Sequence, residues 1–410
     1  MKKIEYKHVD ETIYTETLNN GLTVYLLPRA EVSKTYGFFS TNFGSVDQMF
    51  TPIGQKDMIT VPEGVAHFLE HKLFEKEDGD VFTKFSAQGA SANAYTSFTQ
   101  TAYLFTATEN IEENVETLID FVQEPYFTDA TVEKEKGIIE QEIQMYLDEP
   151  DHRLFMGIMQ GLFKNHPVRH EILGTKESVY AITKEDLYTC YETFYHPENM
   201  ILFIAGQIDP EQMMTLIKEN QGKKSFPKAT NVQRYKPVEQ EHVAMDKTTI
   251  RMNVTTPKCV IGIKEYVNEP TNKELIERSV LQGMILEHFF SSSGEFYGKL
   301  YDSGLIDHSF TLQTSVEKDH GYSIVGGNTK DPQAFANQVI ALLKTTKTYQ
   351  LSQEAFERMK KKKIGQILRG MNSLEYVAGE YVYYQTLNFD FFELIPFVQS
   401  LTLEDAHRYL

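Results

Sequence analysis

His67-Phe68-Leu69-Glu70-His71 decides how this chain is read. On an α-helix, residues four apart lie on one face, one turn above each other. His67 and His71 can therefore reach one metal ion. Glu70 falls three residues after His67, on the flank of that face. A carboxylate there can meet a water at the ion without taking a coordination position. The order H-x-x-E-H is the inverse of the H-E-x-x-H zinc motif. The neighbours Val65, Ala66, Phe68, Leu69 and Leu73 are apolar. Polar groups buried on such a helix are costly unless they are partnered or bind a metal. A catalytic zinc takes three protein ligands and keeps one position open, so a third ligand has to come from elsewhere.

The stretch Glu133-Lys134-Glu135-Lys136-Gly137-Ile138-Ile139-Glu140-Gln141-Glu142-Ile143 offers it. Glu135 and Glu142 are seven apart and share a helical face across two turns. One can bind the metal while the other supports a histidine from behind; spacing alone leaves open which does which. His166 and His170 repeat the four-residue spacing, but they enclose Pro167 in a polar segment without a well-placed carboxylate. That segment reads as a loop.

Together these motifs resemble the pitrilysin/insulinase family of zinc peptidases, the inverzincins, which includes the mitochondrial processing peptidases. Within it the likeness is to the H-x-x-E-H-bearing group of Gram-positive bacteria associated with aminopentanol modification of elongation factor P. The resemblance implies zinc as cofactor, with His67, His71 and Glu142 as metal ligands, Glu70 as general base, and Glu135 as the carboxylate behind a histidine. Gly89-Ala90-Ser91-Ala92-Asn93-Ala94-Tyr95-Thr96-Ser97 resembles the family strand that pairs with extended substrate, which makes Ala92, Asn93 and Ala94 substrate-binding residues. Phe194-Tyr195-His196-Pro197-Glu198-Asn199-Met200, followed by Ile204-Ala205-Gly206, matches a further family signature. The implied activity is hydrolysis of a peptide or an extended protein segment by a zinc metalloendopeptidase. The implied fold is α+β: two homologous domains, each a mostly antiparallel sheet packed with helices, closing as a clam shell.

One departure stands out. Active members present an Arg and a Tyr seven residues apart, from the second domain or a partner chain. The corresponding segment, residues 299–307, contains no Arg. The expectation is therefore a heterodimer, in which a related chain without zinc supplies that pair. The rival reading is a scaffold subunit of a modification complex that binds zinc without hydrolysing anything. The intact Glu70 argues against it, because a structural site needs no carboxylate beside an open position.

A length of 410 residues suits two or more domains. No stretch approaches the roughly 18 apolar residues that a membrane span needs, and the first residues lack the apolar core of a secretory signal. Cys190 and Cys259 give no disulfide framework, which points to the cytoplasm. The net charge of −18 disfavours non-specific nucleic-acid binding.

The plan of the first half recurs in the second. Strands are expected at residues 22–27, 35–42, 92–98 and 101–106, with the metal helix after Pro62-Glu63-Gly64. An apolar stripe at Ile111, Val115, Leu118 and Ile119 marks a helix, and the carboxylate helix follows, capped near Asp129. Phe335, Val339, Leu342 and Leu343 repeat that stripe 224 residues later. The same offset sets Gln366 against Glu142 and Met359 against Glu135, while Met284 stands where a first histidine would precede Glu287-His288. The second copy has lost the metal chemistry, so one zinc per chain is expected. The domains read as 1–222 (zinc-binding), 223–248 (a polar linker with Gly and Pro) and 249–410 (degenerate copy). Leu410 falls in a helix begun at Thr402, before the family's last strand.

Overall fold

The computed structural model describes residues 1–228, 232–235, 237–265 and 270–410. It divides into two units, each discontinuous in sequence. The first takes the described residues of Met1–Met145, His170–Lys236 and Ser373–Thr386; the second takes those of Tyr146–Arg169, Pro237–Asn372 and Leu387–Leu410. The units part inside the expected linker, whose Ala229, Thr230 and Asn231 lie outside the described residues. Two segments cross the linear division at 222 and 249. Residues 146–169 join the second unit, and residues 373–386 return to the first.

Along the chain, the main strands are β1 (Lys2–Tyr6), β2 (Glu11–Thr17), β3 (Thr23–Pro28), β4 (Thr35–Thr41), β5 (Ser91–Thr96), β6 (Thr101–Ala107) and β7 (Met200–Gly206). The second unit adds β8 (Lys258–Glu265), β9 (Thr311–Val316) and β10 (Gly321–Asn328). The helices that frame the sites are α1 (Val65–Phe74), α2 (Ile111–Gln123), α3 (Asp129–Leu147) and α4 (Pro150–Leu162). They are followed by α5 (Asn272–Phe290), α6 (Pro332–Thr346), α7 (Gln353–Gly370) and α8 (Leu374–Thr386).

In the first unit seven strands pair in the order β1-β2-β3-β7-β4-β6-β5, antiparallel throughout except β3 with β7. All of β4 is buried, because both faces of the sheet are covered. Opposed residues share a face, so Phe39 lies with Tyr103 and Phe38 with Phe203. Tyr103 and Phe105 meet Phe121 of α2 and Phe85 on the first face. Gly37 has no room for a side chain there: a Cβ would lie 2.2 Å from the Phe105 ring. The opposite face is closed by α8, whose fully buried Tyr381 packs against Tyr25 and Phe203 with ring centroids 5.0 and 5.3 Å apart.

In the second unit, β10 lies between β8 and β9 in an antiparallel sheet, and α4, α5 and α6 pack on it. The recurring plan is visible element by element. The strands β5 and β9 begin and end 220 residues apart, and Asp129 and Gln353, which open α3 and α7, are separated by 224. Pro332 opens α6 behind Asp331, whose carboxylate caps it, and Thr402 caps a helix at Leu403–His407. Among the described residues no helix is long and apolar enough to cross a membrane.

Candidate metal centre

Every residue of α1 except His71 is buried. The helix starts where Gly64 turns the chain at φ 87°, and a Cβ there would also sit 2.3 Å from the Leu173 carbonyl oxygen. Glycine is required on both counts. Four polar side chains on so buried a helix need partners. Lys72 pairs with Glu75. The Thr96 hydroxyl donates to Glu70 Oε2 at 2.8 Å. His71 Nδ1 lies 3.0 Å from Glu135 Oε1. His67 Nδ1 has no hydrogen-bond partner among the described residues.

The two imidazoles aim their other nitrogens at one carboxylate oxygen. His71 Nε2 is 3.4 Å and His67 Nε2 3.8 Å from Glu142 Oε2. The three ligand atoms lie within 4.8 Å of one another. Direct hydrogen bonds would be shorter, about 2.7–3.2 Å. Donors on a tetrahedral zinc, each about 2.0–2.1 Å from the ion, sit about 3.4 Å apart. The spacing fits an ion at the centre better than a proton between pairs. With Nδ1 of His71 facing a carboxylate, its Nε2 keeps the lone pair that a metal needs.

Burial and the neighbouring charges act differently on each group of that donor set. Burial, then the neighbouring His71, push the His67 pKa down to about 3, so its imidazole is neutral. Burial opposes a charge on His71, but Glu135, Glu70 and Glu142 together outweigh it and raise its pKa. Burial also raises the pKa of Glu142 and of Glu70, and for Glu70 it prevails over the Thr96 hydrogen bond and His71.

The carboxylate helix begins after Thr128, whose hydroxyl accepts from the Thr131 N–H at 3.2 Å, one residue before the expected cap. Ala92 and Ala94 share the α1 side of β5 with Thr96, opposite Phe105 and Tyr103. Asn93 points to the other face, and its Oδ1 accepts from the Ala94 N–H at 2.9 Å. Thr96 lies in the strand motif without a role that the motif implies. The signal was the period of two along β5, which puts it on the side of Ala92 and Ala94.

A second cluster appears in the second unit, where a loop without a well-placed carboxylate was expected. Residues 167–169 form a single 3-10 turn, and Asp319 arrives from the β9–β10 turn. Its Oδ1 is 3.6 Å from His166 Nε2 and 2.9 Å from His320 Nδ1. The ligand atoms of this trio are also within 4.8 Å of each other. The donor set does not fit a metal, however. The Val168 N–H donates to His166 Nδ1 at 3.1 Å, so the ring proton sits on Nε2, the very atom a metal would need.

Residues 60–176 match the model described as Insulinase (Peptidase family M16), and residues 181–363 match the one described as Peptidase M16 inactive domain. The chain is 48% identical to YmfH of Bacillus subtilis, which carries the name of a zinc protease, over 100% of this chain and 95% of that protein. The chain belongs to the insulinase family, peptidase family M16. A solved structure described as an M16-like peptidase from Alicyclobacillus acidocaldarius is 41% identical, with a TM-score of 0.93, and the match covers 97% of this chain and 94% of that one. A protein of Schizosaccharomyces pombe named mitochondrial-processing peptidase subunit beta is 31% identical over 50% of this chain and 44% of its own length.

In the second unit of this M16 chain other partners meet at the corresponding positions. Gln366 stands where α3 has Glu142, and its amide donates to Glu287, the counterpart of Glu70. Lys362, at the position of Ile138, places Nζ 2.9 Å from Glu287 Oε2. In the lysine run 360–363, Lys360 donates to the carbonyls of Gln399 and Leu401.

Proposed function

We propose that the chain is a zinc-dependent peptidase. His67, His71 and Glu142 hold the ion, Glu135 orients His71, and Glu70 is the general base. The observation that carries this reading is the aim of two Nε2 atoms at one Glu142 oxygen, with the Glu70 carboxylate beside them and free of any salt bridge among the described residues. When bound, zinc supplies Lewis acidity toward water and toward a peptide carbonyl. Glu70 removes the proton of the attacking water and returns one to the leaving amine. Its burial raises its pKa toward the range in which it can do both near neutral pH.

The substrate is an extended peptide laid along β5. That strand ends the seven-strand order, so its outer backbone groups can pair with an added strand. Ala92 and Ala94 leave room beside α1 for substrate side chains. Residues 299–307 offer no Arg to a developing oxyanion, which supports a heterodimer with a related chain that brings one. The same absence favours the second reading, a zinc-binding scaffold subunit. Peptide-library cleavage by wild type and Glu70→Gln, each with and without a paired M16 chain, tests both. The expected result is that Glu70→Gln retains stoichiometric zinc and loses turnover. Wild-type turnover by Glu70→Gln would refute the role of the base, and no cleavage under any pairing would favour the scaffold.

A further inference from the structure

We infer that Thr96 is a positioning residue that fixes the Glu70 carboxylate in its working orientation; this rests on the peptidase reading above. A carboxylate turns freely about its last torsion, which is broad and two-fold. Glu70 is buried at 8% exposure. Among the described residues it accepts one hydrogen bond, from Thr96 Oγ1 to Oε2 at 2.8 Å. That bond commits Oε2 and leaves Oε1 as the oxygen for a water proton.

Thr96 is itself held rigidly. It is the last residue of β5 and lies opposite Thr101, whose hydroxyl donates to the Phe43 carbonyl at 2.9 Å. The next residue, Ser97, closes the turn to β6 through its N–H to the Gln100 carbonyl at 2.7 Å, and its hydroxyl oxygen accepts from the Gln100 N–H at 3.0 Å. The Ser97 and Phe98 carbonyls accept from Ser45 and Val46 at 3.1 and 3.0 Å. Gly44 beneath them leaves no space, since a Cβ would be 2.3 Å from the Phe98 oxygen. A hydroxyl on so constrained a strand end preorganises the group it touches. The strand proposed to receive the peptide therefore ends in the residue that aims the base.

The experiment compares Thr96→Val and Thr96→Ala, which remove the hydroxyl, with Thr96→Ser, which keeps it. Zinc content, Tm, kcat and KM are measured on the zinc-loaded protein in whichever pairing gives wild-type turnover, and crystal structures of each variant are compared. Without the hydroxyl, kcat falls about tenfold or more, while KM, zinc content and Tm stay near wild type. The Glu70 carboxylate leaves its single orientation in the crystal. Thr96→Ser restores both kcat and orientation. In a Glu70→Gln background, Thr96→Val costs nothing further. Thr96→Val and Thr96→Ala with wild-type kcat and an unmoved Glu70, or Thr96→Ser as impaired as Thr96→Val, would overturn the proposal. An active Glu70→Gln overturns instead the reading beneath it, so the two failures are distinguishable.

Discussion

Gln366 spans the carboxylate of Glu287, its amide 3.2 Å from Oε1 and 3.0 Å from Oε2. With Lys362 on the same group, the second copy sets an amide at the place of Glu142, a thioether at that of His67 and an ammonium at that of Ile138. A fixed cation from the chain leaves no incentive for a metal. The trio at His166 is excluded on other grounds, because its ring proton is pinned toward Asp319. Metal analysis should therefore return one zinc per chain. His67→Ala and Glu142→Gln should bring it close to zero, and Asp319→Asn should leave it at one.

In the proposed centre Glu135 acts on His71 from outside the ligand set. A carboxylate 3.0 Å from Nδ1 fixes the ring and raises its basicity at Nε2. Glu135→Gln keeps the shape and weakens that support. Zinc affinity should fall by about 10–100-fold, measured by competition with a chelator, with the unfolding midpoint of the zinc-free protein nearly unchanged.

Much of this centre was legible because it lies on two helices. The periods of α1 and α3 fix which residues share a face, so the groups that could converge followed from His67, His71, Glu135 and Glu142 alone. The second copy was legible for the same reason, through the apolar stripe of α2 and α6. What was not legible depends on contacts remote in sequence. Asp319 reaches His166 from 153 residues away, and local pattern gives no hint of it. The exchange of residues 146–169 and 373–386 between the units was hidden too. An amphipathic helix declares that it has a buried face, but its sequence does not say which sheet covers that face. Thr96 falls between these cases, since its face was readable from β5 and its partner was not.

Glu239 sets an acid limit on the second unit. Burial alone would raise its pKa. Lys264 at 2.8 Å and the backbone N–H groups of Asn165, His166 and Lys164 outweigh burial and hold it at about 2, against an ordinary value of 4.5. Because the folded pKa is depressed, the unfolded chain binds the extra proton between those values. The stabilisation is complete above about pH 4.5 and is lost as pH falls toward about 2. Glu239→Gln should destabilise by about 1–3 kcal/mol at pH 7. In denaturant titrations its deficit against wild type should stay constant down to about pH 4.5 and shrink below it. A deficit that grew on acidification would contradict the assignment.

The first unit needs a helix from the far end of the chain. α8 covers the face of β3, β4 and β7 that carries Tyr25, Phe38 and Phe203, and the Tyr25 hydroxyl donates to Gln385 Oε1 at 3.0 Å. A fragment of residues 1–236 retains the whole seven-strand sheet yet lacks this cover, exposing a contiguous aromatic surface. It should be insoluble or unfold without cooperativity, whereas the same fragment with residues 373–386 appended through a flexible linker should give a cooperative transition. In the full chain, Tyr381→Ala removes a fully buried ring and should cost about 3–5 kcal/mol, read as a lower midpoint in thermal unfolding. A soluble, cooperatively folding 1–236 fragment would show that the first unit closes without α8.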